Sequence, residues 1–149
     1  MKIVLQNVIN SKVDVNNKEV ANINKGLLLL VSFTIGDDIE ICQKMAHKIA
    51  NLRCFLDENY KTNLSIKDVG GEILSISQFT IYADLRKGNR PSFVNALAGK
   101  EAKPLYEYFN KCLKDEGIVV KEGIFGEDMK VSLINDGPFT LVLDSKELF

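Results

Sequence analysis

Residues 27–33 read Leu-Leu-Leu-Leu-Val-Ser-Phe, an apolar run that begins directly after Gly26. An unbroken run of this length, as opposed to an alternating one, is typical of a strand that is buried on both faces. The run is much shorter than the roughly 20 residues that a membrane-spanning helix needs. We therefore predict a central strand in a sheet that is covered on both sides.

Strand and turn signals lead into this run. Residues 2–8 are rich in β-branched side chains, and residues 13–15 alternate between apolar and polar. Asn16-Asn17 tolerates positive φ, so it predicts a hairpin turn into a strand at residues 19–23. Residues 24–26 predict a second turn, which leads into the central strand.

Two later segments carry apolar residues at helical spacing and predict amphipathic helices over about residues 38–51 and 101–116. Residues 83–99 show no period and predict a long loop. Further short strands are predicted near residues 53–56, 72–79, 118–121, 128–134 and 139–143. The sequence thus predicts an α+β fold in a single domain over residues 1–149, with a mostly antiparallel or mixed, barrel-like sheet and two main helices.

Composition excludes several classes of protein. The chain has 149 residues, and 19 basic against 20 acidic side chains give a net charge of −1, which argues against extended wrapping of nucleic acid. Cys42, Cys54 and Cys112 are odd in number and widely spaced, so they predict neither a disulfide framework nor a zinc site. The amino terminus lacks a signal-peptide pattern. We expect a cytoplasmic protein without cofactor, metal or membrane contact.

The side chains offer little ordinary acid–base chemistry. His47 is the only histidine, and it lies on the edge of the apolar face of the first predicted helix, where a structural or solvent-facing role is expected. A Ser-His-Asp triad is therefore not expected. Any catalysis would come from backbone dipoles, from positioning or from the substrate's own groups.

Three segments suit such chemistry, and each has a plainer interpretation. At the end of a predicted strand, Ser77-Gln78-Phe79-Thr80 could leave the backbone N–H groups of Phe79 and Thr80 unpaired, which would form an oxyanion hole, or it could be an ordinary strand end. Gly137-Pro138 could form a stiff corner, because an X–Pro bond can be cis at a cost of about 0.5–1 kcal/mol, or an ordinary turn between two strands. Arg86, Lys87 and Arg90 could contact phosphate or belong to a solvated loop.

Four segments together carry a resemblance that covers the whole chain. They are Ser77-Gln78-Phe79-Thr80, Lys87-Gly88-Asn89-Arg90-Pro91-Ser92-Phe93, Phe125-Gly126-Glu127-Asp128-Met129 and Asn135-Asp136-Gly137-Pro138-Phe139-Thr140. With them the chain resembles the D-aminoacyl-tRNA deacylase family, also called D-tyrosyl-tRNA deacylase. One departure is Asn7, where the family usually has an arginine that braces the glycine–proline corner.

The resemblance implies a metal-independent enzyme that hydrolyses the ester between a D-amino acid and tRNA and also removes glycine mischarged on tRNA(Ala). It implies a homodimer with active sites at the interface, in which a cis Gly137-Pro138 pair enters the partner's pocket and rejects L-amino acids. It places the 3′-terminal adenosine beside Ser77 to Thr80, with Phe125 and Met129 near the base.

Within this reading, the amides of Phe79 and Thr80 stabilise the oxyanion, while Ser77 and Gln78 orient the substrate. Two alternatives remain open. The chain could be a non-catalytic module that binds an RNA end through the basic loop around Arg86, Lys87 and Arg90, or a purely structural oligomer. Turnover of charged tRNA separates the enzyme from both.

Overall fold

The predicted central strand lies in the middle of a six-stranded mixed sheet in a computed structural model that describes residues 1–149. The strands are β1 (Lys2–Val15), β2 (Lys18–Ile23), β3 (Gly26–Ser32), β4 (Phe55–Leu56), β5 (Thr62–Leu64), β6 (Glu72–Ser77), β7 (Val119–Glu122) and β8 (Met129–Asp144). The helices are α1 (Ile39–Asn51), α2 (Gly99–Asp115) and α3 (Ser145–Leu148), with a 3₁₀ turn at Phe79–Tyr82. β4 and β5 form a separate antiparallel pair.

Strand β3 is buried on both faces, as its sequence predicts. Leu27, Leu29 and Val31 pack in the larger core, together with apolar residues of α1 and α2. Leu28 points the other way, into a smaller core inside the curved sheet. β3 pairs antiparallel with β1 and parallel with β6. The sheet curves into a nearly closed barrel, where Lys121 Nζ on β7 donates to the Asn22 carbonyl on β2 at 2.7 Å.

The two longest strands correct the sequence prediction. β1 is continuous, although two strands were predicted at residues 2–8 and 13–15. β8 is also continuous, so the prediction that a sharp turn at Asn135 to Pro138 separates two strands is wrong. Both halves of β8 pair antiparallel with β1, so the chain does not reverse between them.

A bulge replaces the predicted turn. Thr140 pairs with Gln6 and Asn135 pairs with Val8, so residues 136–139 lie opposite the single residue Asn7. A bulge of this kind adds residues to one strand without ending its pairing. Local turn signals indicated the irregularity correctly, but they could not show that a common partner strand continues on both sides of it.

The two predicted helices are present. α1 begins after Asp38, whose Oδ1 accepts a hydrogen bond from the Ile41 amide at 2.9 Å, as expected of an N-cap. α2 begins at Gly99, inside the segment predicted as a loop, and Gly117 follows it at φ 85°. No local signal in the sequence predicted β5, α3 or the 3₁₀ turn. None of the helices has the length and apolar character required to cross a membrane.

Candidate functional site

A cavity of about 600 Å³ lies at the carboxyl ends of the parallel strands β3 and β6. Its walls come from four stretches of chain, around residues 31–33, 76–79, 93–102 and 125–131. Ligands commonly bind outside the carboxyl ends of parallel strands, because the connecting segments diverge there and leave a crevice. The parallel pairing of β3 and β6 therefore accounts for a cavity at this end of the sheet.

The cavity brings two of the predicted groups together. Ser77, Gln78 and Phe79 line one side, and Phe125 and Met129 line another, although about fifty residues separate them along the chain. The position of Gln78 is fixed because its backbone N–H donates to the Val31 carbonyl at 2.8 Å. The strand end and the later aromatic segment thus belong to one site.

Thr80 does not line the cavity. Its Oγ1 accepts a hydrogen bond from Gln78 Nε2 at 2.5 Å, so the hydroxyl is held by a residue that does line the cavity. The backbone amides of Phe79 and Thr80 begin the 3₁₀ turn, and neither donates a hydrogen bond within the chain. The first N–H groups of a helical turn have no partner inside it. Two free donors therefore sit at the cavity's edge.

Sequence reasoning missed the wall around residues 93–102. Phe93 packs edge-on against Phe79, with ring centroids 5.1 Å apart, and Ala96 and Gly99 leave the cavity wide because one carries only a methyl group and the other has no side chain. The signal in the sequence was the cluster of small residues ahead of α2. The same cluster is equally typical of a flexible loop, so only the packing of the folded chain shows that the segment forms a wall of the cavity.

The cavity lacks an ordinary histidine or cysteine catalyst. Its only ionisable lining residues are Glu127 and Asp128, and Asp128 pairs with Lys130 at 2.8 Å. Tyr106 packs against Phe125, and burial raises the pKa of its phenol to about 12, even further above neutral pH than the ordinary value, so the phenol offers no base to the cavity. His47 is exposed on α1, where Nδ1 lies 2.8 Å from Glu116 Oε1, as the prediction of a solvent-facing role expects.

The corner at Gly137-Pro138 lies elsewhere. Its peptide bond is cis, and both residues are exposed on the bulge of β8. Neither residue lines the cavity of its own chain. Asn7, opposite the bulge, is buried, and its Nδ2 donates to the Cys54 carbonyl at 2.6 Å. The asparagine therefore directs its donor to the segment ahead of β4.

The basic loop splits into paired and unpaired cations. The Arg86 guanidinium donates two hydrogen bonds, of 2.9 and 2.6 Å, to the Asp84 carboxylate, and this contact lowers the pKa of Asp84 to about 2. Lys87 and Arg90 are exposed and form no ion pair within the chain. None of these three cations lines the cavity. A bridge between Asp84 and Ser92 places the loop next to Phe93 on the wall.

No group of three or more histidine, cysteine, aspartate or glutamate side chains is arranged to hold a metal ion. The residues around the cavity instead offer an apolar surface, a few polar side chains, the carboxylates of Glu127 and Asp128, and unpaired backbone donors. Such a lining suits a ligand with an aromatic part and a carbonyl group.

Known proteins are similar to this chain in sequence and in fold. A D-aminoacyl-tRNA deacylase from Lactobacillus acidophilus is 57% identical over 144 residues, which are 97% of this chain and 99% of the relative. One of the same name from Clostridium perfringens is 52% identical over the full length of both chains. The solved structure of a c-Myc DNA unwinding element binding protein superposes with a TM-score of 0.90 at 35% identity, covering 97% of this chain and 98% of that one.

A more distant structure shows how widely the fold is shared. That of a probable eukaryotic D-amino acid tRNA deacylase has a TM-score of 0.82 at 17% identity and covers 95% of this chain and 97% of its own, which supports the fold alone. Residues 4–144 match the sequence profile described as D-Tyr-tRNA(Tyr) deacylase. With that match over nearly its whole length and close relatives at more than half identity, the chain belongs to the D-Tyr-tRNA(Tyr) deacylase family.

Proposed function

We propose that this protein hydrolyses the ester bond of D-aminoacyl-tRNA and releases the D-amino acid and free tRNA in the cytoplasm. Family membership supports the reaction class. The observation that carries the proposal is the pair of free amides at Phe79 and Thr80, beside a cavity with an apolar wall. These donors suit the one charge that ester hydrolysis must stabilise, the oxyanion of the tetrahedral intermediate.

The chemistry needs little from side chains. A water molecule adds to the ester carbonyl, the oxyanion accepts hydrogen bonds from the amides of Phe79 and Thr80, and the carbon–oxygen bond to the ribose then breaks. The leaving ribose oxygen takes up a proton, and the neighbouring ribose hydroxyl of the substrate assists the attacking water. This accounts for a site without histidine. Ser77 and Gln78 orient the ester, while the terminal adenine packs near Phe125 and Met129.

Handedness is screened by a second copy of the chain in this proposal. The exposed corner at Gly137-Pro138 enters the cavity of a partner subunit and leaves no room for an L side chain, whereas a D side chain or glycine is accepted. Two features support a homodimer: the corner is absent from its own cavity, and Ile134 and Val142 leave exposed apolar side chains on β8. Lys87 and Arg90 are available for phosphates near the tRNA 3′ end.

The specificity gives a direct test. We expect the purified protein to cleave D-Tyr-tRNA and D-Asp-tRNA, to cleave Gly-tRNA(Ala) to a measurable extent, and to leave L-Tyr-tRNA intact, because only the L side chain meets the corner. Release of labelled amino acid, in the presence of a chelator such as EDTA, measures this and the expected independence from metal. Binding of uncharged tRNA without turnover would instead favour the RNA-end binding module.

Replacing the Thr80 hydroxyl tests the role of the backbone. Thr80→Ala removes the side-chain oxygen but keeps the amide, so we expect single-turnover hydrolysis of D-Tyr-tRNA to fall by no more than about tenfold, well short of the 10²–10³ typical of losing one oxyanion donor. Thr80→Ser, which keeps the hydroxyl, is the matched control. Complete loss in Thr80→Ala, with intact folding and substrate binding, would show that the side chain performs the chemistry.

A further inference from the structure

The bulge on β8 is held by one side chain that spans it. Asn135 lies at the amino-terminal edge of the bulge, and its Oδ1 accepts a hydrogen bond from the Phe139 amide at 2.8 Å. Residues 136–139 have no counterpart in the ladder beyond the single residue Asn7, so their backbone lacks the regular strand pairing that fixes the rest of β8. The Asn135 carboxamide supplies a contact in its place.

The same side chain also reaches the far edge of the bulge. Asn135 Nδ2 donates to Thr140 Oγ1 at 2.9 Å, and Gln6 Nε2 on β1 donates to the same oxygen at 3.3 Å. Asn135 and Thr140 are the two residues at which pairing with β1 stops and resumes. Their side chains therefore tie the ends of the bulge to each other and to the neighbouring strand. We call this group, Asn135, Thr140 and Gln6, the β8 clamp.

The residue opposite the bulge takes no part in the clamp. Asn7 is buried at 7% exposure; its Nδ2 donates to the Cys54 carbonyl, and its Oδ1 has no hydrogen-bond partner. Successive residues of a strand point to opposite faces, so Gln6 reaches the clamp on one face while Asn7 points to the other. No hydrogen bond from the side chain of Asn7 therefore holds the corner in this chain.

We propose that Asn135 is a positioning residue that sets where the Gly137-Pro138 corner stands, and that rejection of L-aminoacyl esters by this protein depends on it. The inference rests on the proposed function, because the corner acts only if it screens the substrate. Asn135 touches no reacting atom. It acts through the backbone of Phe139 and the hydroxyl of Thr140. It therefore affects the selectivity between substrates, whereas the residues of the cavity determine the rate of ester hydrolysis.

The test compares kcat/KM for D-Tyr-tRNA and L-Tyr-tRNA across paired variants. Asn135→Ala removes both hydrogen bonds of the Asn135 side chain, Thr140→Val removes the Oγ1 acceptor with little change in shape, and Thr140→Ser keeps that acceptor. Asn22→Ala is the control, because Asn22 is an exposed strand asparagine on β2 that bonds only to Glu19 through its side chain. The midpoint of thermal unfolding is measured for each.

We expect Asn135→Ala and Thr140→Val to raise the L-to-D ratio of kcat/KM by roughly tenfold or more, the scale of a change in steric fit. Thr140→Ser and Asn22→Ala should keep the wild-type ratio. An unchanged ratio in both Asn135→Ala and Thr140→Val would overturn the proposal, as would loss of D-Tyr-tRNA cleavage with no gain for L-Tyr-tRNA. If Asn135→Ala fails to fold, the Thr140 pair decides.

The two hypotheses fail in different ways. Wild-type protein that cleaves L-Tyr-tRNA as fast as D-Tyr-tRNA overturns the screening mechanism in the proposed function, and the role of Asn135 falls with it. Wild-type protein that discriminates, alongside clamp variants that discriminate equally well, overturns only the role of Asn135.

Discussion

Gly26→Ala is expected to destabilise the protein by about 3 kcal/mol or more, at the upper end of what overpacking a well-packed interior costs. A Cβ at this position would stand 1.8 Å from the Glu72 carbonyl oxygen and 2.7 Å from the Glu72 nitrogen. Both are backbone atoms of β6, so no side chain can rotate away to make room. β3 and β6 would have to separate at the point where their parallel pairing begins.

The damage should extend to the cavity. The same ladder that pairs Gly26 with Glu72 ends with Val31 opposite Ser77, and both of those residues line the cavity. Urea unfolding measures the loss of stability. Gly99→Ala is the matched control, because its new Cβ would meet only Phe125 Cε1, at an ordinary 3.7 Å, and stability should change by less than about 1 kcal/mol. Equal unfolding midpoints for wild type and Gly26→Ala would refute the steric argument.

Gly26 also shows where sequence reasoning stops. The sequence Asn24-Lys25-Gly26 predicts a turn, since glycine after polar residues usually marks one. The structure makes Gly26 the first residue of β3, and its missing side chain serves the close approach of β6, almost fifty residues away. Local signals predicted other elements: an unbroken apolar run indicated the central strand, helical spacing indicated both main helices, and the tolerance of asparagine for positive φ indicated the hairpin at Asn16-Asn17. A contact between distant strands leaves no such local signal.

The candidate site likewise contains residues that carry a local signal in the sequence and residues that carry none. Ser77 to Phe79 could be predicted because a strand end exposes backbone donors wherever it occurs. Phe125 and Met129 were predicted as site residues only from the family resemblance, and both line the cavity. The wall at Ala96 was missed because small residues carry no chemical signature of their own.

The basic loop shows that charge counting overlooks local pairing. Arg86, Lys87 and Arg90 look alike in sequence. Arg86 is nevertheless held by Asp84, two residues earlier, through both its backbone amide and its side chain. Lys87 and Arg90 have no carboxylate partner within the chain, so in the proposed function they could contact a tRNA phosphate without first breaking an ion pair, whereas Arg86 would have to share or leave Asp84.

Ala96→Phe should abolish most of the activity while leaving the fold intact. The Ala96 side chain faces the cavity, and its amide donates to the Phe93 carbonyl at 3.0 Å, a contact that the substitution keeps. A phenyl ring there would occupy the space proposed for the ester. We expect kcat/KM for D-Tyr-tRNA to fall by about 100-fold, which corresponds to about 2.7 kcal/mol of lost transition-state stabilisation.

Val94→Phe is the matched control, because it adds an aromatic ring two residues away, on a side chain that is 74% exposed and outside the cavity. Its activity should stay near that of the wild type, and thermal unfolding should show that both variants fold. Near-normal turnover by Ala96→Phe would mean that the ester is cleaved elsewhere on the protein. Because the phenyl ring would fill space that every ester has to enter, the loss should affect D-Tyr-tRNA and Gly-tRNA(Ala) alike. A loss of equal size for both substrates would show that the cavity is blocked, and would exclude a change in the discrimination between D- and L-amino acids as its cause.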